Sequence, residues 1–125
     1  MPLTITTEPG EGVVTIRPAG SLDSNTYHFL EEHVAAVTKR KPRVLIFDLK
    51  DLHYISSAGV RVILATRQAM RATGTEVVLA HLQPQIRKVF GVIRALPSLT
   101  VFESIAELDR YLTEIQKKVL ETEEE

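Results

Sequence analysis

Four consecutive apolar residues, Val44 to Phe47, stand in the middle of the segment RVLIFDL. A strand covered on both faces has apolar side chains on both, so it lacks the alternation of a half-exposed strand, and parallel sheets contain such strands. A second run of this kind, Val77 to Leu79, lies in EVVLAHL. We therefore predict a mainly parallel sheet in which the following residues are largely buried: Val44, Leu45, Ile46, Phe47, Val77, Val78 and Leu79.

The segments between these runs repeat apolar residues at helical spacing. Tyr27, Leu30, Val34 and Val37 recur every three or four residues, behind the cap candidates Asp23 and Ser24, and a second helical pattern runs over residues 57–73. Two further helices are predicted in QPQIRKVFGVIRAL, with a proline in its first turn, and in SIAELDRYLTEIQKKVL, with the capping box Ser104 and Glu107. Strands that alternate with helices favour parallel pairing through crossover connections.

The first two strands differ from the others, because LTITTE and GVVTIRP alternate apolar and polar residues on either side of the turn PGEG. This pattern predicts a hairpin, and hence a leading antiparallel strand. With a short strand in LTVFES, the predicted order is β-β-α-β-α-β-α-β-α. The fold class is therefore α/β: a single domain with a mainly parallel sheet, a leading antiparallel strand and about four helices packed around it.

Composition excludes several kinds of function. The chain has 125 residues, a formal net charge of −1 and no cysteine. Because acidic and basic residues balance, the composition does not indicate the basic surface that nucleic-acid binding usually needs. The lack of cysteine excludes disulfides, thiolate zinc sites and cysteine nucleophiles. We expect residues 1–120 to form one domain and the acidic residues 121–125 to be a frayed tail. No signal peptide and no membrane-length apolar run is visible, so we expect a cytoplasmic location without direct membrane insertion.

Chemistry of other kinds has little support in the sequence. The histidines lack the spacing of metal ligands, there is no Gly-rich phosphate loop, and neither serine of the Ser56–Ser57 pair lies in a G-x-S-x-G elbow. We therefore expect no metal, no cofactor and no catalytic residue. The histidines are His28, His33, His53 and His81. A set of basic residues is interpreted as solvated helix faces: Arg61, Arg67, Arg71, Arg87, Lys88 and Arg94.

Two adjacent serines, Ser56 and Ser57, lie between the central strand and the second predicted helix. Open α/β sheets bind ligands at the carboxyl ends of their strands, and a helix start offers free N–H groups to a phosphate. Serine is also a preferred helix N-cap, which needs no chemistry at all. From position alone, both interpretations stay open.

The residues around this pair resemble a known family. DLKDLHYISSAGVRVIL is similar to the signature of STAS domains, the family of bacterial anti-sigma factor antagonists, and GSLDSNTYHFLEEHV resembles the family's first-helix motif. LAHLQPQIRKVFGVIRALPSLTVFESIAEL resembles the second half of the family's domain. The resemblance covers nearly the whole chain, with its elements in the predicted order.

The resemblance implies a phosphorylation site. In the family, the serine directly after the aspartate of the signature is phosphorylated by a partner kinase. Alignment on Gly59 puts that serine at Ser57. Ser56 then stands where the family has the aspartate, and is the alternative acceptor. Asp23 matches the aspartate of the first-helix motif, near the partner-binding end, and is also able to cap the first helix. The residues predicted to bind the partner are Asp23, Ser24, Ser56, Ser57, Ala58, Gly59 and Arg61.

The resemblance also implies a mechanism and partners. The unphosphorylated protein would bind a serine-kinase anti-sigma factor, phosphorylation would release it, and a phosphoserine phosphatase would reset the switch, so the chain is not an enzyme. Two alternatives within the family are a subunit of a membrane-lipid or anion transport assembly and a scaffold in a larger signalling complex. A small nucleotide-binding enzyme of flavodoxin-like appearance is a third, against which the missing phosphate loop argues.

Overall fold

The computed structural model of the chain describes residues 2–92 and 100–102. The strands in these residues are β1 (Leu3–Pro9), β2 (Val13–Leu22), β3 (Val44–Asp48), β4 (Leu52–Ile55), β5 (Glu76–Ala80) and β6 (Thr100–Phe102). They form one sheet with the spatial order β1-β2-β3-β5-β6, and β4 pairs with β2 outside this order. The helices are α1 (Tyr27–Thr38), α2 (Ser57–Arg71) and α3 (Pro84–Val92).

The strand pairing confirms the predicted fold class. β1 and β2 form the antiparallel hairpin, in which Leu3 is paired with Gly20 and Pro9 with Val14. β2 with β3, β2 with β4, β3 with β5 and β5 with β6 are all parallel. Gly12, in the hairpin turn, has a φ of 70°, a conformation that glycine adopts without steric cost. The leading strand is therefore antiparallel and the rest of the described sheet is parallel.

Both faces of the central strands are buried, as their unbroken apolar sequence predicts. All seven predicted residues are at most 4% exposed. On one face the strands pack with the helices, and Phe47, Leu79 and Ile16 are fully buried there. On the other face a second apolar cluster consists of Val13, Val44, Ile46, Val78 and Ala80.

The apolar stripes of the helices face the first of these clusters. Leu30 and Val37 of α1 are buried, with Tyr27 and Val34 packed beside them. The buried residues of α2 include Val60, Ile63 and Met70, and those of α3 are Ile86 and Phe90. Gly74 has the positive φ of 78° expected of the residue that ends the second helical segment. Within the described residues, no helix is long and apolar enough to cross a membrane.

Two details differ from the sequence prediction. The stretch between β3 and α2, for which the predicted order has no strand, contains β4, which pairs with the carboxyl end of β2. The N-cap of α1 is Thr26, not Asp23 or Ser24. The predicted fourth helix with Ser104 and Glu107, and the acidic tail, lie outside the described residues.

Candidate functional site

The serine pair lies where β4 meets α2. Ser56 is the N-cap residue of α2, with an extended backbone (φ −95°, ψ 175°), and Ser57 is the first helical residue. The Ser56 N–H donates to the carbonyl of Leu22 over 2.9 Å, and the Ser56 carbonyl accepts from the Val60 N–H over 3.1 Å. These two bonds fix the start of α2 against the carboxyl end of β2.

This position corrects the sequence prediction in one respect. The serines do not follow the central strand β3 directly, because β4 intervenes and carries the chain along the end of β2. They still lie at the carboxyl end of a parallel strand, since Ile55 of β4 is in register with Leu22 of β2. The predicted combination of strand end and helix start is therefore present.

The two hydroxyls have different surroundings. Ser57 is exposed, whereas the Oγ atom of Ser56 is buried and has no hydrogen-bond partner among the described residues. Ser56 occupies the N-cap position, yet its side chain makes no capping hydrogen bond. The simple capping interpretation therefore explains the position of Ser56 but not what its hydroxyl does, and Ser57 is the serine of the pair that is exposed to solvent.

Gly59 allows α2 to begin this close to the sheet. A Cβ atom at this buried position would lie 2.8 Å from Ile55 Cγ1 and 2.8 Å from Leu22 Cγ. Both atoms belong to side chains buried in the core, which cannot move aside freely. The lack of a side chain at Gly59 therefore sets how closely Ser57 approaches the ends of β2 and β4.

Asp23 follows β2 directly, as Ser56 follows β4, so parallel pairing brings the two loops to the same edge. The Asp23 Oδ1 atom accepts from the Asn25 N–H over 2.9 Å. The hydroxyl of Thr26 accepts from the Asp23 N–H over 2.9 Å and donates to the Ser21 carbonyl over 2.8 Å. Asp23 thus shapes the turn that leads into α1, although Thr26 holds the cap position.

The other predicted partner-binding residues lie around this edge with different exposure. Ser24 and Arg61 are exposed, and Ala58 is half-buried. Arg61 lies four residues after Ser57, so the two side chains are on the same side of α2. The edge therefore presents Ser24, Ser57 and Arg61 to solvent, while Gly59 and the Ser56 Oγ lie inside.

A polar network behind this edge was missed by the sequence analysis. Asp48, whose side chain is 8% exposed, accepts from Arg17 Nε over 3.1 Å and from the Lys50 N–H over 3.1 Å, and its Oδ1 lies 3.0 Å from His81 Nδ1. Arg17 also pairs with Glu8. Burial acts to raise the pKa of Asp48, but the hydrogen bonds from His81, the Lys50 N–H and Arg17 together lower that pKa below its ordinary value.

A partial signal for this network is visible in the sequence, since Asp48 and His81 are the polar residues that end the two apolar runs. The two side chains come together because β3 and β5 are neighbouring strands, and no local sequence pattern indicates that pairing. In residues 2–92 and 100–102, no group of three or more histidine, aspartate or glutamate side chains is close enough to hold a metal ion.

Comparison with known proteins gives a family for this arrangement. The family model of the STAS domain matches residues 4–108. A protein of Bordetella bronchiseptica described as an anti-sigma factor antagonist, BtrV, is 34% identical over 88 residues, which are 70% of this chain and 76% of that protein. The predicted family resemblance is confirmed by these matches.

Solved structures with the same fold agree with this assignment. An anti-sigma factor antagonist from Mycobacterium paratuberculosis has a TM-score of 0.76 at 24% identity, covering 92% of this chain and 95% of that one. The Bacillus cell fate determinant SpoIIAA in its phosphorylated form has a TM-score of 0.66 at 22% identity, covering 86% of this chain and 99% of that one. At these identities the two structures support the fold.

Proposed function

Because the chain belongs to the STAS domain family, we propose that it is an anti-sigma factor antagonist in a partner-switching pathway. The unphosphorylated chain binds a serine-kinase anti-sigma factor in the cytoplasm and so frees the sigma factor. The kinase transfers a phosphoryl group from ATP to Ser57, the complex separates, and a phosphoserine phosphatase restores the binding form. The chain is a substrate and a binding protein rather than an enzyme.

The observation that carries the proposal is the exposure of Ser57 at the first position of α2, beside a Ser56 whose Oγ is buried. A kinase must bring the γ-phosphate of ATP to the acceptor oxygen, which a buried hydroxyl does not permit without local unfolding. This difference supports Ser57 over Ser56 as the acceptor, even though a serine stands in the aspartate position. The proposed partner surface includes Asp23, Ser24, Ser56, Ser57, Ala58, Gly59 and Arg61.

Release follows from the charge of the phosphate. A phosphoserine carries about −1.5 to −2 charges, and burying them in a protein interface costs desolvation and repulsion from acidic groups. Adding such a charge to a site that loses its water on binding changes the binding free energy by about 2–5 kcal/mol. Each 1.4 kcal/mol corresponds to about a tenfold change in the dissociation constant. The unphosphorylated and phosphorylated chains are therefore expected to differ by tens to thousands of fold in affinity.

Mapping the phosphate tests this proposal. The kinase is first identified by a pull-down from native extract with mass spectrometry, then purified and incubated with ATP and the wild type, Ser56→Ala or Ser57→Ala. We expect phosphate on Ser57 in the wild type and in Ser56→Ala, and none in Ser57→Ala, which still binds. Phosphate on Ser56 in the wild type would contradict the assignment. A kinase that is active on its own substrate but modifies neither serine would favour the transport-assembly or scaffold alternatives.

A nucleotide hydrolysis assay tests the proposal that the chain is not an enzyme. The purified chain is expected to hydrolyse neither ATP nor GTP, because its sequence has no phosphate-binding loop. Turnover that survives purification, and that is lost when Asp23 or Ser57 is replaced, would show that the chain is an enzyme instead.

A further inference from the structure

One face of the sheet is buried although none of the described helices packs on it. The buried apolar residues of α1, α2 and α3 all belong to the cluster on the first face. The cluster on the second face contains strand residues only, and four of its members are at most 2% exposed: Val44, Ile46, Val78 and Ala80. A sheet face is hidden from water only by a layer that lies over it, so the rest of the chain has to supply that layer.

The connections of the sheet explain why the three helices leave this face to another part of the chain. β2, β3, β5 and β6 are parallel neighbours in that order, so every crossover moves in the same direction along the sheet. Crossovers between parallel strands are nearly always right-handed, and right-handed crossovers that move in one direction place their helices on one face. The second face is therefore left for residues that follow β6.

The segment after β6 has the sequence pattern of a covering helix. Residues 104–120, SIAELDRYLTEIQKKVL, repeat apolar residues at helical spacing: Ile105, Leu108, Leu112, Ile115 and Val119. β6 ends at Phe102, which is paired with Ala80 at the carboxyl end of β5. A helix of these 17 residues is about 26 Å long, whereas the five residues of β5 span about 16 Å. A helix that folds back over the second face therefore reaches the amino end of the sheet.

The amino end of the sheet carries an exposed cluster of positive charge. We define the basic loop as residues 39–43, KRKPR, between α1 and β3, in which four side chains are exposed: Lys39, Arg40, Lys41 and Arg43. No ion pair shown among residues 2–92 and 100–102 involves any of them. The Arg43 N–H donates to the Gly12 carbonyl over 2.8 Å, and the Thr75 hydroxyl donates to the Pro42 carbonyl. These bonds hold the loop against the hairpin turn and the start of β5.

We infer that residues 104–120 cover the second face and that the acidic end of the chain, residues 121–125 (ETEEE), docks on the basic loop. The tail has four glutamates and the loop has four cations, and they offset each other in the formal net charge of −1. Opposite charges attract over about 10 Å at 0.1 M salt, and the covering helix ends at the side of the molecule where the loop lies. The tail is thus an intramolecular ligand of the loop, not the frayed end that its composition alone suggests.

This contact decides which surfaces stay available to other molecules, and it does not depend on the proposed function. A tethered segment has a high effective concentration, so the tail competes with any other anion for the basic loop. The attraction between tail and loop is screened by salt, whereas the burial of an apolar stripe depends on the apolar area removed from water. The two parts of the inference are therefore distinguished by their response to salt.

Spin labels test both parts in the full chain, which has no natural cysteine. Thr113→Cys attaches a label to the predicted helix away from its apolar stripe, and Glu123→Cys attaches one to the tail. Broadening of backbone amide signals in the NMR spectrum reports which residues lie near each label. Thermal unfolding at the wild-type temperature shows that each labelled variant is folded.

We expect the label at residue 113 to broaden the amide signals of Ile46 and Val78 more than those of α1 and α2, which lie behind the sheet. This pattern should be the same at low and high salt. We expect the label at residue 123 to broaden the amide signals of the basic loop at low salt. That broadening should be lost at about 1 M salt, where charges are screened within about 3 Å.

Charge reversal provides a matched control for the tail contact. Lys39→Glu combined with Lys41→Glu should abolish the broadening of the basic loop by the label at residue 123, because like charges then face each other. Lys50→Glu combined with Lys88→Glu reverses two exposed charges outside the loop and should leave the broadening unchanged.

Three results would overturn the inference. If the label at residue 113 broadens α1 and α2 more than β3 and β5, the segment does not cover the second face. If the label at residue 123 leaves the basic loop unbroadened at low salt, or broadens it equally after the reversal of Lys39 and Lys41, the tail does not dock there. If a spin-labelled chain broadens the loop of a second, isotopically labelled chain as strongly as its own, the occupant is another copy. None of these results bears on phosphorylation of Ser57, so the proposed function is tested separately.

Discussion

Single residues decide the geometry of the proposed site. Gly59 lets the first turn of α2 lie against Leu22 and Ile55, and Ser57 is exposed because the helix begins there. Ser56, one residue earlier, directs its hydroxyl into the protein. The choice of acceptor in the proposed function therefore depends on where α2 begins, and the packing at Gly59 helps to set that position.

Replacement of Gly59 by alanine tests this packing. The added Cβ would lie 2.8 Å from two buried side-chain atoms, and overpacking of this kind costs about 1–3 kcal/mol. Alanine recovers up to about 1 kcal/mol through its helix propensity, so we expect a net loss in the free energy of unfolding, measured by urea denaturation. Gly91→Ala in α3 is the matched control, because nothing among residues 2–92 and 100–102 lies within 4 Å of a Cβ built at this position, and it should stabilise the protein. A gain at Gly59 equal to that at Gly91 would contradict the described packing.

At the scale of elements, α2 has a helix start without a negative charge. Its first turn contains no acidic residue, and its N-cap side chain makes no capping hydrogen bond. The positive end of the helix dipole and the free N–H groups there are therefore not neutralised by the helix itself. The start of α2, where Ser57 lies, is thus suited to carry a negative group once it is added.

Ser57→Asp should consequently stabilise the free protein while it weakens partner binding. A carboxylate in the first turn of a helix contributes about 0.3–1 kcal/mol at low ionic strength. Ser57→Asn is the control of similar shape without charge, and the free energies of unfolding of the two variants are compared at low and high salt. Equal stability of Asp and Asn variants at low salt would show that the start of α2 does not favour a charge.

Across the whole molecule, the network around Asp48 connects strands that are distant in sequence. Arg17 of β2 and His81, just after β5, are 31 and 33 residues away from Asp48 at the end of β3. Lys50, whose N–H bonds the same carboxylate, begins the loop that leads to β4 and the serines. The network therefore joins β2, β3 and the residue after β5, close to the start of the segment that leads to β4.

The lowered pKa of Asp48 predicts acid sensitivity. Because its folded-state pKa lies below the ordinary value of 3.8, the charged carboxylate stabilises the fold above that pH, and this stabilisation is lost as the pH falls below it through the folded pKa. Asp48→Asn should flatten the decline of the free energy of unfolding in this acidic range, by at most about 1.4 kcal/mol per pH unit for one proton.

Denaturant unfolding between about pH 2 and 5 measures this slope, since one protonation equilibrium spans roughly two pH units. Asp51→Asn, at a carboxylate exposed on the loop before β4, is the matched control and should keep the wild-type slope. An unchanged slope in Asp48→Asn would mean that the network does not hold the carboxylate in its charged form.

The amino-acid sequence by itself determined the parts of this protein that depend on local periodicity. The unbroken run Val44 to Phe47 predicts a strand buried on both faces, and the helical spacing of Leu30 and Val37 predicts the buried side of α1. The motif around Gly59 was sufficient to indicate the family, which the comparisons confirm. Each of these signals lies within a few residues of the chain. Over that distance, the regular backbone of a helix or strand determines from the sequence spacing which way each side chain points.

Only the tertiary structure decided the features that depend on contacts between distant segments. Leu52–Ile55 becomes a strand because the end of β2 offers it unpaired backbone groups, and its own four residues carry too weak a pattern to predict it. The different exposure of Ser56 and Ser57 follows from how α2 packs on Leu22 and Ile55, and the first turn of α3 is joined to β4 by the bond from the Gln85 side chain to the His53 carbonyl. Such contacts are set by burial and strand order across the whole chain, so no local spacing contains them.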